Sequence, residues 1–191
     1  MKRLLWLIPA LLVLGFASCA KPPKAEIAAA EAAVAKAEKN PDVVAYAPEA
    51  LARAKTALAK MKTELDGRRY DKAKALAVEA KDAAEGAIPA AQANKDRVKA
   101  KAVELIDAAK KAVPAAEKLL ASASKIRKAA FDRAAKSAEL AGAKAAIAEA
   151  EAAFAAGDFL KAVDRAGAAQ KGLADLESAI GAAVQAATRK K

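Results

Sequence analysis

The sequence predicts an all-α protein: an elongated, alanine-rich helical bundle with a long, kinked central helix and weakly duplicated helical-hairpin units. Three observations carry this. Sixty-two of the 191 residues are alanine, the strongest helix former and one that buries little surface, so long helices around a thin core are expected. Apolar residues recur at steps of three and four through most of the chain, which is the period of a helix face. No run alternates β-branched and polar residues as a half-buried strand does.

Before the helices comes an export signal. Met1, Lys2 and Arg3 precede an apolar run from Leu4 to Ala17, the charged start, apolar middle and small-residue exit of a secretory leader. At 14 residues the run falls short of the roughly 20 that a membrane-spanning helix needs. Phe16-Ala17-Ser18-Cys19 resembles the lipobox of bacterial lipoproteins, with Phe16 in place of the usual leucine. The resemblance implies cleavage before Cys19, acylation of its sulfur, and residence on the periplasmic side of a membrane. Ala20 follows without a retention aspartate, so an outer-membrane lipoprotein facing the periplasm is expected. Cys19 is the only cysteine, which excludes an intramolecular disulfide.

Residues 19–24, with Pro22 and Pro23, read as a lipidated tether. A first helix is expected over about residues 25–39, ended by Asn40-Pro41 because the residue before proline leaves helical geometry. A second begins at Ala47-Pro48-Glu49, with proline at the first helical position and an acid in the first turn. Its stripe is Leu51, Ala54, Leu58, Met61 and Leu65, and Asp66-Gly67 stops it.

From Tyr70 a heptad takes over through Ala73, Ala77, Ala80, Ala84, Ala87, Ala91, Asn94, Val98, Ala102, Leu105, Ala109, Ala112, Ala116, Leu119, Ala123, Ile126 and Ala130. Unbroken, these 61 residues span about 90 Å. Gly86, Pro89 and Pro114 interrupt them, and kinks are expected at the two prolines. Asn94 either fixes register against a partner helix or caps a helix that restarts after Pro89.

A closing helix pair repeats the earlier one. Leu140, Ala143, Ile147, Ala150 and Phe154 reproduce the stripe from Leu51 to Leu65 at an offset of 89 residues, and Tyr70, Lys72 and Ala73 match Phe159, Lys161 and Ala162. The intervening glycines, Gly67 and Gly157, stand one position out of step. The offset relates residues 24–93 to 113–182. The expected organisation is a signal at 1–18, a tether at 19–24, helical unit 1 at 25–93, a helical connector at 94–112, and helical unit 2 with a basic tail at 113–191.

Ala45-Tyr46-Ala47-Pro48-Glu49-Ala50-Leu51-Ala52-Arg53-Ala54, followed by Gly67 to Tyr70 and Lys72-Ala73, resembles a family of bacterial helical lipoproteins classed as a domain of unknown function. In it a Tyr-Ala-Pro-Glu turn precedes one helix and a Gly-Asp-Tyr-like turn the next. Gly157-Asp158-Phe159 matches the second turn more closely than Gly67-Arg68-Arg69-Tyr70 does. Tetratricopeptide repeats use similar turns. The resemblance implies an envelope setting and a helical fold. Family members often carry a peptidoglycan-gripping domain resembling outer membrane protein A, which is not found before Lys191, and the resemblance implies no activity.

Composition argues against catalysis. With no histidine, the commonest general base and metal ligand is missing. Ser122, Ser124, Ser137 and Ser178 lie in alanine-rich helical contexts without a nucleophile elbow, and carboxylates such as Glu139, Glu149 and Glu151 are interleaved with lysines as in a solvated face. Phosphate-cradling and calcium-binding loops are missing. No enzyme, cofactor or metal site is expected.

The net charge is +11, and residues 95–136 hold 12 basic against 5 acidic side chains. Lys95, Arg97, Lys99, Lys101, Lys110, Lys111, Lys118, Lys125, Arg127 and Lys128 form the candidate face for an anionic partner. Lysine-alanine helices resemble linker-histone tails, but export and the lack of a stacking platform argue against nucleic acid. Peptidoglycan or another anionic envelope polymer fits better. The tail Thr188-Arg189-Lys190-Lys191 resembles the end of the small murein lipoprotein, which makes Lys191 a candidate for wall attachment. A basic helix end is the alternative. The expected function is a non-catalytic envelope scaffold, structural or interaction-mediating. The alternative is an adaptor that binds a protein through tetratricopeptide-like helix pairs or self-associates along the heptad.

Overall fold

The computed structural model describes residues 21–126 and 131–189. Among these residues there is no strand, and six helices follow in order: α1 (Lys24–Glu38), α2 (Pro41–Tyr46), α3 (Pro48–Asp66), α4 (Tyr70–Ala123), α5 (Arg133–Ala155) and α6 (Phe159–Arg189). The protein is an all-α bundle. It divides into two compact units, Met1–Ala91 and Gln92–Lys191, so that α4 supplies residues 70–91 to the first and its remainder to the second.

In the first unit α1, α3 and the start of α4 pack around small side chains, with Val34, Val43, Leu51 and Met61 as the bulk of the core and Ala73 to Ala91 as its floor. Alanine contributes little transfer energy per residue, but it lets helix backbones approach closely, so the few larger side chains are fully covered. Ion pairs on the rim set the register: Glu31 with Lys62 at 3.5 Å and Glu38 with Lys55 at 2.9 Å make α1 antiparallel to α3, and Glu26 with Lys74 at 2.8 Å ties α1 to α4. The short α2 was not expected. Asn40-Pro41 ends α1, yet the same residues start α2, because the Asn40 side chain accepts hydrogen bonds from the backbone N–H groups of Asp42 (3.0 Å) and Val43 (3.4 Å), and Pro41 sits in the first turn.

In the second unit α5 and α6 form a hairpin, and the second part of α4 lies against both. Ala102 packs with Ala153 and Ala162, Ile106 with Ala150 and Ala166, and Ala109 with Ile147 and Ala169. Leu120, Leu140, Leu173, Leu176 and Ile180 close the core toward the end of α4. Residues 94–112, expected as a connector, thus lie within α4 and contribute to this core. Lys110 pairs with Glu151 at 2.6 Å, Glu117 with Lys144, and Gln170 Nε2 donates to the carbonyl oxygen of Leu105 at 3.2 Å. Asp132 caps α5 by accepting from the N–H groups of Ala134 and Ala135.

α4 keeps its helical assignment through Gly86, Pro89 and Pro114. Asn94 therefore caps no restarting helix. It is half-buried inside α4. The heptad is the buried face as far as Ala91, and Ala102, Ala109, Ala116 and Ala123 are buried as expected. Between them Ile106 and Leu120 are buried where the strict heptad selects Leu105 and Leu119, which are half-buried. A helix of 3.6 residues per turn drifts about 20° per heptad against a 3.5 repeat, so over a helix this long the covered face moves on by one position. Within each unit most alanines of the stripe are buried, while Asn94, Val98, Leu105, Ala112, Leu119 and Ile126 are half-buried.

The duplication is visible in three dimensions. α3 ends at Asp66 and α5 at Ala155, and α4 begins at Tyr70 and α6 at Phe159, each at the 89-residue offset. At that offset the buried Leu51, Ala54 and Met61 fall on the buried Leu140, Ala143 and Ala150, and Ala84, Ala87 and Ala91 fall on Leu173, Leu176 and Ile180. The first helix follows a different offset. The pairs Glu31–Lys62 and Glu38–Lys55 correspond to Lys110–Glu151 and Glu117–Lys144 when α1 is set 79 residues before α4. Ile27, Ala30, Val34 and Ala37 then fall on Ile106, Ala109, Val113 and Ala116. Ten extra residues ahead of α5 account for the change of offset, and the repeat relates residues 24–91 to 103–180.

The two hairpin turns share one backbone design. Arg68 N–H donates to Leu65 C=O and Arg69 N–H to Glu64 C=O, both at 2.9 Å. Gly157 N–H donates to Phe154 C=O at 3.0 Å and Asp158 N–H to Ala153 C=O at 2.9 Å. This is the glycine-favouring helix stop, and its left-handed position is Arg68 (φ 55°) in one turn and Gly157 (φ 81°) in the other. The left-handed positions are in step, although the glycines of the sequence are not. Arg68 accepts a conformation that costs an L-residue roughly 1 kcal/mol.

Candidate functional site

The ten candidate cations do not form one face. Arg127 and Lys128 lie outside the described residues, as do Cys19 and Lys191. The other eight are separated by the period of α4. Lys95, Lys99 and Lys110 stand at the sides of the helix that border its neighbours: Lys95 is half-buried and engaged, Lys99 Nζ sits 5.7 Å from the centre of the Phe159 ring, and Lys110 pairs with Glu151. The hydrogen bond from Lys110 to the Glu151 carboxylate pushes its pKa above the ordinary lysine value. Lys101 is paired with Glu104 at 3.0 Å.

What remains is a ridge. Arg97, Lys111, Lys118 and Lys125 are exposed, and none is in an ion pair among the described residues. Arg97, Lys111 and Lys118 are spaced by multiples of seven on α4, on the exposed side away from the buried Ala102, Ile106 and Ala109, and Lys125 follows just beyond the end of the helix. Lys111 and Lys118 are about 10 Å apart along the helix axis. The exposed Glu104, paired with Lys101, occupies the position midway between Arg97 and Lys111, and the exposed Asp107 stands one turn before Lys111. Charge is unevenly divided: residues 92–191 hold 19 basic against 12 acidic side chains, and residues 1–91 hold 15 against 11. Such a ridge can attract a polyanion, with an affinity that falls as salt rises.

The aromatic pair Phe154 and Phe159, with ring centroids 5.2 Å apart, packs across the α5–α6 turn beneath Lys99. In the first unit the shallow groove between α1 and α4 holds about 280 Å³ and is lined by Ala25, Glu26, Ala29, Ala77, Val78, Lys81 and Asp82. Among the described residues no helix is long and apolar enough to cross a membrane, and no group of three or more acidic, histidine or cysteine side chains converges as a metal site would require.

These features stand beside one family match. The model of a family described as a domain of unknown function (DUF4398) matches residues 25–103. The match covers α1, α2, α3 and the first part of α4, and it stops at Val103, the position that the repeat places opposite Lys24. No curated protein and no solved structure matches the chain.

Sequence reasoning grouped the cations by proximity along the chain and so mixed paired with unpaired ones. It also passed over Arg68, whose signal is the mismatch with Gly157 once the two turns are superimposed.

Proposed function

We propose that this is a non-catalytic lipoprotein of the bacterial envelope, held to the periplasmic face of the outer membrane through acyl chains on Cys19, whose helical units serve as an interaction scaffold. The observation that carries the reading is the charged and apolar leader ending in Phe16-Ala17-Ser18-Cys19, five residues before the first helix. Two or three acyl chains anchor far more firmly than one. The helices behind it hold their charged side chains at the surface, many of them in pairs, over alanine-rich cores, a design suited to presenting surfaces.

The partner favoured by the charge distribution is an anionic envelope polymer such as peptidoglycan, meeting the ridge of Arg97, Lys111, Lys118 and Lys125. The alternative function is an adaptor that binds another protein through its helix pairs or self-associates along the heptad, whose half-buried members Val98, Leu105 and Leu119 are its partly accessible apolar positions.

Replacing Cys19 with Ser is expected to release the protein from the membrane fraction and to remove the mass of the acyl groups. Unchanged membrane association overturns the anchor. Co-sedimentation with purified peptidoglycan is expected to fall with salt and to be lost in Lys111→Gln/Lys118→Gln/Lys125→Gln; retention by that variant overturns the ridge as the contact.

A further inference from the structure

We propose that the end of the first unit where α1 begins and α3 turns into α4 rests on the membrane, with Lys21, Lys24, Arg68 and Lys72 contacting anionic phospholipid headgroups of the leaflet that carries the Cys19 lipid. The proposal rests on the lipoprotein reading of Cys19 and adds to it an orientation and a contact surface for this unit.

Register puts the turn and the tether together. α1 runs antiparallel to α3 with Glu38 beside Lys55 and Glu31 beside Lys62, so carrying the register to the first residue of α1 brings Lys24 level with Arg69. The Glu26–Lys74 pair fixes the same end of α4. From Cys19 to Lys24 there are five residues, an extended reach of about 17 Å at most. Pro22 and Pro23 shorten that freedom, since Lys24 N–H donates to Pro22 C=O at 2.8 Å and Ile27 N–H to Pro23 C=O at 3.1 Å. An anchor at residue 19 therefore holds this end of the unit close to the bilayer.

Charge suits that place. Lys21, Lys24, Arg68 and Lys72 are exposed and in no ion pair among the described residues. Arg69 is held by Glu64, and Lys74 by Glu26. Asp66 and Asp71 are the exposed carboxylates of the same turn, so the unpaired cations outnumber them.

The duplicate turn supplies an internal control. With the same backbone hydrogen bonds, the second unit carries Gly157-Asp158-Phe159 where the first carries Arg68-Arg69-Tyr70. Glycine at the left-handed position is the unstrained choice, yet the turn beside the tether keeps arginine there at φ 55°. It also has tyrosine, a residue favoured at membrane–water interfaces, in place of phenylalanine.

The test uses the full lipidated chain in phosphatidylethanolamine vesicles with or without phosphatidylglycerol. Cys19 is the only cysteine, so once its sulfur is acylated an introduced cysteine is the one thiol available to a fluorophore. Thr63→Cys reports on the proposed contact end and Val44→Cys on the other end of α1. With a quencher on the lipid headgroups, quenching is expected to be at least about twofold stronger at residue 63 than at residue 44 in the anionic vesicles. Arg68→Gly/Lys72→Gln, or high salt, lowers the residue-63 signal toward its value without phosphatidylglycerol. Mass analysis of Cys19 separates the two readings. A chain without acyl groups removes the anchor and this contact with it. An acylated chain with equal quenching at both labels, or with the variant unchanged, overturns the contact alone.

Discussion

Lys110 and Glu151 pair at 2.6 Å across α4 and α5 in the positions where Glu31 and Lys62 pair at 3.5 Å across α1 and α3, with the charges exchanged. Opposite charge is kept here while its direction is reversed, whereas the neighbouring Glu117–Lys144 pair keeps the direction of Glu38–Lys55, so both pairs of the seam stay complementary. Like charges here repel across the helix pair. Lys110→Glu is expected to lower the thermal midpoint, and Glu151→Lys added to it is expected to restore most of the loss. A double variant as unstable as the sum of the two singles, measured by circular dichroism at low salt, contradicts the pairing.

The left-handed stop yields a second prediction through the backbone alone. Arg68→Gly relieves the steric cost of φ 55° and is expected to stabilise the protein by about 1 kcal/mol, less the entropy that glycine adds to the unfolded chain. Gly157→Ala is expected to destabilise by a similar amount, since φ 81° is unsuited to an L-residue. Denaturant midpoints that move together in the same direction refute the assignment of both residues to one motif.

Helix type and most helix ends were legible because proline, glycine and the three-four spacing act locally. Asn40-Pro41 reads as a stop, but the same Asn40 oxygen that leaves α1 behind caps α2, and six residues are too few for periodicity to register. The correspondence of Ile27 to Val34 with Ile106 to Val113 was hidden because ten additional residues before α5 shift its offset, and alanine-rich segments align with one another at many offsets. Pairing of cations was illegible for a physical reason: Lys110 and Lys111 are neighbours in sequence, but the helix turns one toward Glu151 and leaves the other unpaired.

Core volume is redistributed between the copies, which makes a third prediction. Ala84, Ala87 and Ala91 face a core that also receives Val43 from α2, whereas their counterparts Leu173, Leu176 and Ile180 fill the second core. Leu176→Ala is expected to cost about 2–5 kcal/mol, since the side chain is fully buried and its site cannot collapse completely. Ala87→Leu is expected to destabilise by about 1–3 kcal/mol through overpacking against the first core. A stabilising Ala87→Leu, read from urea unfolding, contradicts the tight approach of the helices in that unit.

The pH profile follows from the rim pairs. The Lys74 ammonium, donating to Glu26, holds that carboxyl below its ordinary 4.5, and the Arg69 guanidinium does the same to Glu64. A depressed carboxyl contributes stability above its unfolded pKa and loses it as pH falls through the folded value. Lys74, Lys110 and Lys171 are pushed above 10.5 by hydrogen bonds to Glu26, Glu151 and Asp175, so their contribution is present below 10.5 and is lost as pH rises through the raised values. Between these limits there is no histidine to titrate. In the Cys19→Ser protein, which lacks the thiol, the thermal midpoint is expected to be flat from about pH 6 to about pH 9 and to fall on both sides. These groups are exposed, so salt should flatten the two declines by screening the pairs. A midpoint that moves by more than about 3 °C inside that window contradicts an ion-pair origin, because a change of that size corresponds to roughly 1 kcal/mol in a domain of this length.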